Sequence, residues 1–164
     1  MNIWLSQKWR AFYDQHPHRT GLRVRYEKGV DPEVRRACME FFDWLRSEYD
    51  FPMRVVVYVK ACEQVRCMDG DLAYGTFFRP FDRLKEPYVR IATGDYENRL
   101  DEWGKDSILT VNLKCIAHEL THYFQWLNDV KLTPIGEERS ASYWAQEILY
   151  DYAETREHPS TFIV

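Results

Sequence analysis

The sequence predicts an α+β domain, and three observations lead there. Strand-like segments cluster in the first part of the chain, before residue 94. Two long helical patterns follow them, at 106–128 and from the punctuation at 133–136 to about 154. The chain has 164 residues, 45% hydrophobic and 29% charged, the balance of a globular protein large enough for one buried core. We therefore read residues 1–164 as one domain.

Taken in order, Leu5, Trp9, Phe12 and Tyr13 fall at helical spacing and predict a short helix over 3–14, broken by His16-Pro17-His18. Residues 22–26, Leu-Arg-Val-Arg-Tyr, alternate strictly and predict a half-buried strand near a sheet edge. Asp31-Pro32 supplies an N-cap and a first helical residue. Val34, Ala37, Cys38, Phe41, Leu45 and Tyr49 then form the stripe of an amphipathic helix that stops at Phe51-Pro52. Residues 54–60 are β-branched and apolar on both faces, as in a central strand. After a polar loop around Asp69-Gly70-Asp71, residues 72–79 and 88–93 predict two more strands, with Val89 and Ile91 facing one way and Arg90 the other. Thr133-Pro134-Ile135-Gly136 separates the two long helices.

Charge and composition exclude some functions. A formal net charge of −4 argues against a general nucleic-acid binder, whose affinity rests on neutralising phosphates. The longest apolar run, Val55 to Val59, is far short of the ~18 residues a spanning helix needs. The first residues contain no apolar signal region, so a cytoplasmic protein is expected. Cys38, Cys62, Cys67 and Cys115 then read as free thiols, and one C-x4-C spacing is a poor zinc signature.

The chemistry sits in Cys115-Ile116-Ala117-His118-Glu119-Leu120-Thr121-His122-Tyr123, which contains H-E-x-x-H inside a predicted helix. Residues four apart lie one above the other, so His118 and His122 can direct both rings at one metal ion. Glu119 is displaced to the side, where a base for metal-activated water belongs. Leu109, Leu113, Ile116, Ala117, Leu120, Phe124 and Leu127 form the apolar stripe, and both histidines point almost opposite to it. The helix is thus expected to pack on a sheet and present its imidazoles to a cleft. A chance match in a chain this long arises about once in a hundred, which favours a metal site over surface histidines. Zinc suits imidazole and carboxylate ligands with an open position.

A catalytic zinc usually has three protein ligands. Glu137, Glu138, Glu147, Asp151, Glu154 and His158 lie downstream. Glu137 and Glu138 flank the buried stripe of the last helix (Ala141, Trp144, Ala145, Ile148, Leu149 and Tyr152), and periodicity alone does not choose between them.

With these residues in view, the chain resembles the zincin metallopeptidases, and among them the gluzincins, in particular the compact minigluzincins and the ImmA/IrrE-type peptidases. The resemblance covers about residues 54–154. It implies a zincin-like fold, a small mixed sheet of three to four strands packed on the H-E-x-x-H helix and a C-terminal glutamate helix. In that family the glutamate helix often begins E-x-x-A, and Glu138-Arg139-Ser140-Ala141 matches, which makes Glu138 the third ligand. Four residues on, where the family often has Asp or Asn, this chain has Ser142. The SprT-like proteases share the H-E-L-T-H phrase but need a third histidine soon after it, and only His158 follows here. The family also implies that the strand before the active-site helix, residues 88–93, lines the cleft and pairs with an extended peptide. Residues 1–53, a helical extension plus a strand, match nothing and have no assigned role.

The resemblance implies a zinc-dependent metallopeptidase with one Zn2+ per chain held by His118, His122 and Glu138, with Glu119 as general base, acting on a peptide or protein and as an endopeptidase rather than an exopeptidase. No nucleic-acid or membrane partner is expected. Tyr123, Tyr143 and Tyr150 are conceivable oxyanion donors but read as packing aromatics. The alternative is a zincin-shaped binding or regulatory module, or a latent form in which the tail around His158 covers the cleft.

Overall fold

The structure, a computed structural model, describes residues 1–157. Val55, Val57 and Val59 lie fully buried on one face of β2 (Val55–Lys60), the strand that organises the sheet. Its other face is only partly covered, with Val56 half-buried and Tyr58 exposed. β1 (Leu22–Tyr26) runs parallel to β2 and forms one edge, as its alternation predicts. The crossover between them is α2 (Pro32–Glu48), which starts where Asp31 Oδ1 accepts the Glu33 N–H at 2.8 Å and Pro32 needs no partner. Val34, Cys38, Phe41 and Leu45 of α2 are buried against the sheet.

The expected polar loop after β2 contains a small hairpin of β3 (Val65–Arg66) and β4 (Leu72–Ala73), so the predicted strand over 72–79 is split. Its remainder is β5 (Gly75–Phe78), antiparallel to β6 (Tyr88–Ala92). β6 is also parallel to β2, which gives a mixed four-stranded sheet in the order β1-β2-β6-β5. This corrects the expected position of residues 88–93. They are central, with both sides paired, because Val89 and Ile91 are fully buried and the chain places β5 outside them. The cleft-side edge is β5. Two further features concern helices. A separate short helix, α3 (Tyr96–Trp103), precedes α4 (Lys105–Leu127), and Gly104, at φ +79°, makes the break between them. α5 (Pro134–Glu157) begins at Pro134, a residue suited to a helix start.

The N-terminal segment is mostly turns, with one short helix, α1 (Arg10–Tyr13), rather than a helix over 3–14. Side-chain bonds to α4 decide its path. The Trp4 indole N–H donates to Thr121 Oγ1 at 3.0 Å, and the Trp9 backbone N–H donates to Asn128 Oδ1 at 3.1 Å. Trp4, Trp9 and Tyr13 thereby join the same core as α2, the sheet and α4. Among the described residues no helix is long and apolar enough to cross a membrane.

Tyr123 is fully buried, and its hydroxyl closes both hydrogen bonds of Met53, donating to the carbonyl at 2.5 Å and accepting from the N–H at 3.2 Å. It locks α4 to the segment just before β2. Tyr123→Phe leaves two buried backbone groups unpaired, so it should lower stability by about 1–3 kcal/mol. Urea denaturation checks this, and an unchanged midpoint would contradict it.

Candidate metal centre

α4 is apolar on one side, yet it is buried on both. The expected stripe packs inward, with Ile116, Ala117 and Leu120 fully buried, while α5 covers the opposite side. Ala141, Ala145 and Ile148 of α5 are also fully buried. The histidine face of α4 is therefore more enclosed than an open cleft wall. His122 is only 6% exposed, Glu119 8% and Gln125 1%.

Into this seam α5 brings Glu138 by its first turns. Glu138 Oε2 lies 3.0 Å from His118 Nε2, and Oε1 lies 3.0 Å from His122 Nε2. The two rings stand 5.0 Å apart at 78°. One ligand atom from each of the three residues falls within 4.8 Å of the others. Ligands of a tetrahedral zinc at ~2.0–2.1 Å lie about 3.3 Å from one another, so the spacing suits such an ion. Burial, then the neighbouring His122, holds the His118 ring below its ordinary pKa, which favours the neutral form that ligates.

Glu137, the sequence alternative, is held elsewhere. Arg79, just past β5, binds it in a two-pronged ion pair at 3.0 and 3.2 Å. Glu147, Asp151 and Glu154 lie further along α5 and outside the cluster. His158 and the tail proposed to cover the cleft lie outside the described residues. Tyr143 and Tyr150 are exposed on α5.

Sequence reasoning missed Gln125. Its Oε1 lies 2.8 Å from His122 Nδ1, and its Nε2 donates to the Glu137 carbonyl at 3.1 Å. A carbonyl only accepts, so the amide nitrogen must face Glu137 and the amide oxygen must face His122. His122 Nδ1 therefore carries the proton, and Nε2 is left as the ligating atom. One buried side chain thus orients a histidine of α4 and holds the backbone beside Glu138 on α5. The available signal was a glutamine three residues after the second histidine, on the same helical face.

Glu119 has no hydrogen-bond partner among the described residues, although it is more than nine-tenths buried. Burial raises its carboxyl to about 8, and the Glu138 carboxylate adds to the rise. β5 passes close by at Gly75. A Cβ there would stand 2.7 Å from Cys115 Sγ and 3.1 Å from Glu119 Cγ, so a larger residue would push the strand off α4. Gly75, Thr76, Phe77, Glu119, His122 and Glu138 line a cavity of about 480 Å3 between this edge and the helices. A larger groove of about 660 Å3, by Trp9, His18 and Tyr49, shares no residue with the centre.

The arrangement offers three ligand atoms, a buried carboxyl beside them and a free strand edge. No family model, curated protein or solved structure matches the chain, so these geometric facts carry the functional reading.

Two outcomes follow. Gln125→Leu frees the His122 ring and should weaken zinc binding by about 10–100-fold, measured by competition with a chromophoric chelator; equal affinity would remove Gln125 from the site. The second concerns the metal-free protein. A carboxyl whose pKa is raised from 4.5 to about 8 by folding favours the folded state when neutral, and that contribution is lost as pH rises through this window. Glu119→Gln should therefore stabilise the metal-free chain at pH 9, by on the order of a few kcal/mol, and hardly at all at pH 4. Equal shifts at both values would mean that Glu119 is not strained.

Proposed function

We propose that the chain is a zinc-dependent metallopeptidase of zincin-like, gluzincin type, with His118, His122 and Glu138 as ligands and Glu119 as general base. The observation that carries this reading is the convergence of three ligand atoms beside a buried carboxyl without a hydrogen-bond partner. A purely structural site has no use for that carboxyl. When bound, Zn2+ supplies a Lewis acid that polarises the scissile carbonyl and acidifies the water it carries.

The chain's own residues do the rest. Glu119 takes a proton from the attacking water and passes it to the departing amine. Its raised pKa in the metal-free chain has two sources, burial and the Glu138 carboxylate. A cation placed between His118, His122 and Glu138 offsets the second and lowers the pKa toward a working base. Gln125 keeps His122 aimed, and Arg79 engages Glu137 in an ion pair, leaving Glu138 to the ligand cluster. β5 offers its unpaired backbone edge, across which an extended peptide can add as a further strand. Such a site admits the middle of a peptide, which fits an endopeptidase. We place the enzyme in the cytoplasm, with no nucleic-acid or membrane partner.

One pair of variants tests the proposal. His118→Ala should lose the metal by elemental analysis. Glu119→Gln should keep the metal and the fold while peptide cleavage falls by at least about 10²–10⁴. Cleavage by Glu119→Gln at the wild-type rate would remove Glu119 as the base. A zinc-loaded wild type that cuts nothing in a broad peptide library would favour the binding or regulatory alternative.

A further inference from the structure

The sheet has a second face, turned away from α4. Val55, Val57, Val59, Val89 and Ile91 fill the face that α2 and α4 cover. Side chains alternate along each strand, so the pairing register fixes what stands on the other. Arg23, Val56, Tyr88 and Phe78 form one row across the four strands, and Arg25, Tyr58, Arg90 and Thr76 form the next. Arg23, Arg25 and Tyr58 are exposed and the rest are half-buried, so this face meets solvent.

Its middle is aromatic and its flanks are cationic. Phe78 stacks on Tyr88 with ring centroids 4.9 Å apart, and Tyr58 meets Tyr88 edge-on at 5.9 Å. Lys85 holds its ammonium 5.4 Å from the centre of the Phe78 ring. Arg90 donates to the Arg66 carbonyl, a bond that leaves its charge unmatched. Among the described residues none of Arg23, Arg25, Lys85 and Arg90 has a carboxylate partner. The acids at the strand ends are already engaged. Lys60 holds Glu27 at 2.7 Å, and Arg19 and Arg54 hold Glu86 at 2.6 and 3.7 Å. The face is therefore basic in a chain whose net charge is −4.

This pattern selects a partner. A second copy laid face to face would oppose the same cations. A nucleic-acid base needs a free ring face to stack on, whereas Phe78 and Tyr88 cover each other and Lys85 sits over Phe78. Carboxylates need only the cations, and apolar side chains need only the ring edges and Val56. Neighbouring strands lie ~4.8 Å apart, so β1 to β5 spans about 14 Å, the length of about four extended residues. We infer that this face docks an acidic, extended protein segment, with carboxylates about four residues apart and an apolar residue between them. Phe77 packs against Trp126 of α4 and lines the metal cleft, while its neighbour Phe78 stands on this face. A chain docked here can thus pass round the β5 edge to the cleft, and on the peptidase reading the face recruits substrates that carry such a segment. The docking itself does not rest on that reading.

Fluorescence anisotropy tests the docking. The probe is a fluorescein-labelled peptide of Glu-Thr-Val-Thr repeats, whose β-branched residues favour an extended chain, and the control carries Gln in place of Glu. Wild type should bind the Glu peptide about tenfold more tightly than the Gln peptide, and about 1 M salt should remove the difference. Arg23→Ser/Arg25→Ser should weaken the Glu peptide by about tenfold and leave the Gln peptide, the zinc content and the urea midpoint unchanged. Lys85→Ser, outside the strands, repeats the test should the double variant lose stability. In 15N-labelled protein the Glu peptide should move the amide signals of Arg25, Tyr58 and Arg90. Equal affinity for the two peptides, or an affinity that these variants leave unchanged, would overturn the docking face. Tighter binding of an oligouridylate of similar length, lost in the same variants, would overturn it in favour of a nucleic acid. If the zinc-loaded wild type cuts no peptide yet the Glu peptide docks as described, the peptidase reading fails and the docking face stands. If the enzyme cuts peptides but does not distinguish Glu from Gln here, the docking face alone fails.

Discussion

The seam between α4 and α5 is the constraint on which the rest depends. Ala141 and Ala145 are fully buried there, and their small side chains let α5 lie close against the polar face of α4. That closeness puts Glu138 within 3.0 Å of both His118 and His122. Gln125 spans the same seam, bonding the His122 ring on one helix and the Glu137 carbonyl on the other. A shift of α5 by one turn, about 5.4 Å, would break every one of these contacts at once.

Holding that seam has an energetic cost, concentrated in Glu119. Glu119 is 8% exposed, its carboxyl has no hydrogen-bond partner among the described residues, and burial disfavours its charged form. Here the surroundings make it unavoidable, because Gly75 brings the β5 backbone down over it and Cys115 closes the adjoining side. The cost is offset by the firm core on the other side of α4, where Ile116, Leu120 and Phe124 meet Trp4, Phe41 and the strand valines. An enclosed ionisable group of this kind, within an otherwise consistent core, is where a sequence departs from the rules that favour stability.

Much of this was legible in the sequence where the signal is local. The helix carrying His118, Glu119 and His122 follows from a 3.6-residue period sustained over six turns, and the Asp31-Pro32 start of α2 follows from capping chemistry. The buried β2 and the edge position of β1 follow from their contrasting patterns. The order of β5 and β6 did not, since pairing joins distant segments and a short strand such as Gly75–Phe78 has no alternation to separate edge from centre. α3 has no sequence expectation because it is only eight residues long and Gly104 breaks it from α4. Glu138 could be preferred over Glu137 only by resemblance. In the structure Arg79, 58 residues away, occupies Glu137, a contact that no spacing rule announces. Gln125 was invisible as a functional residue because its meaning depends on which imidazole nitrogen of His122 faces Glu138.

The central claim is that one zinc ion sits between His118, His122 and Glu138. X-ray absorption at the zinc edge of the loaded protein tests it most directly. The account predicts two imidazole nitrogens at about 2.0–2.1 Å, carboxylate oxygen at about 2.0–2.2 Å, and no sulfur. A sulfur shell near 2.3 Å would place the metal on cysteines instead and contradict the account.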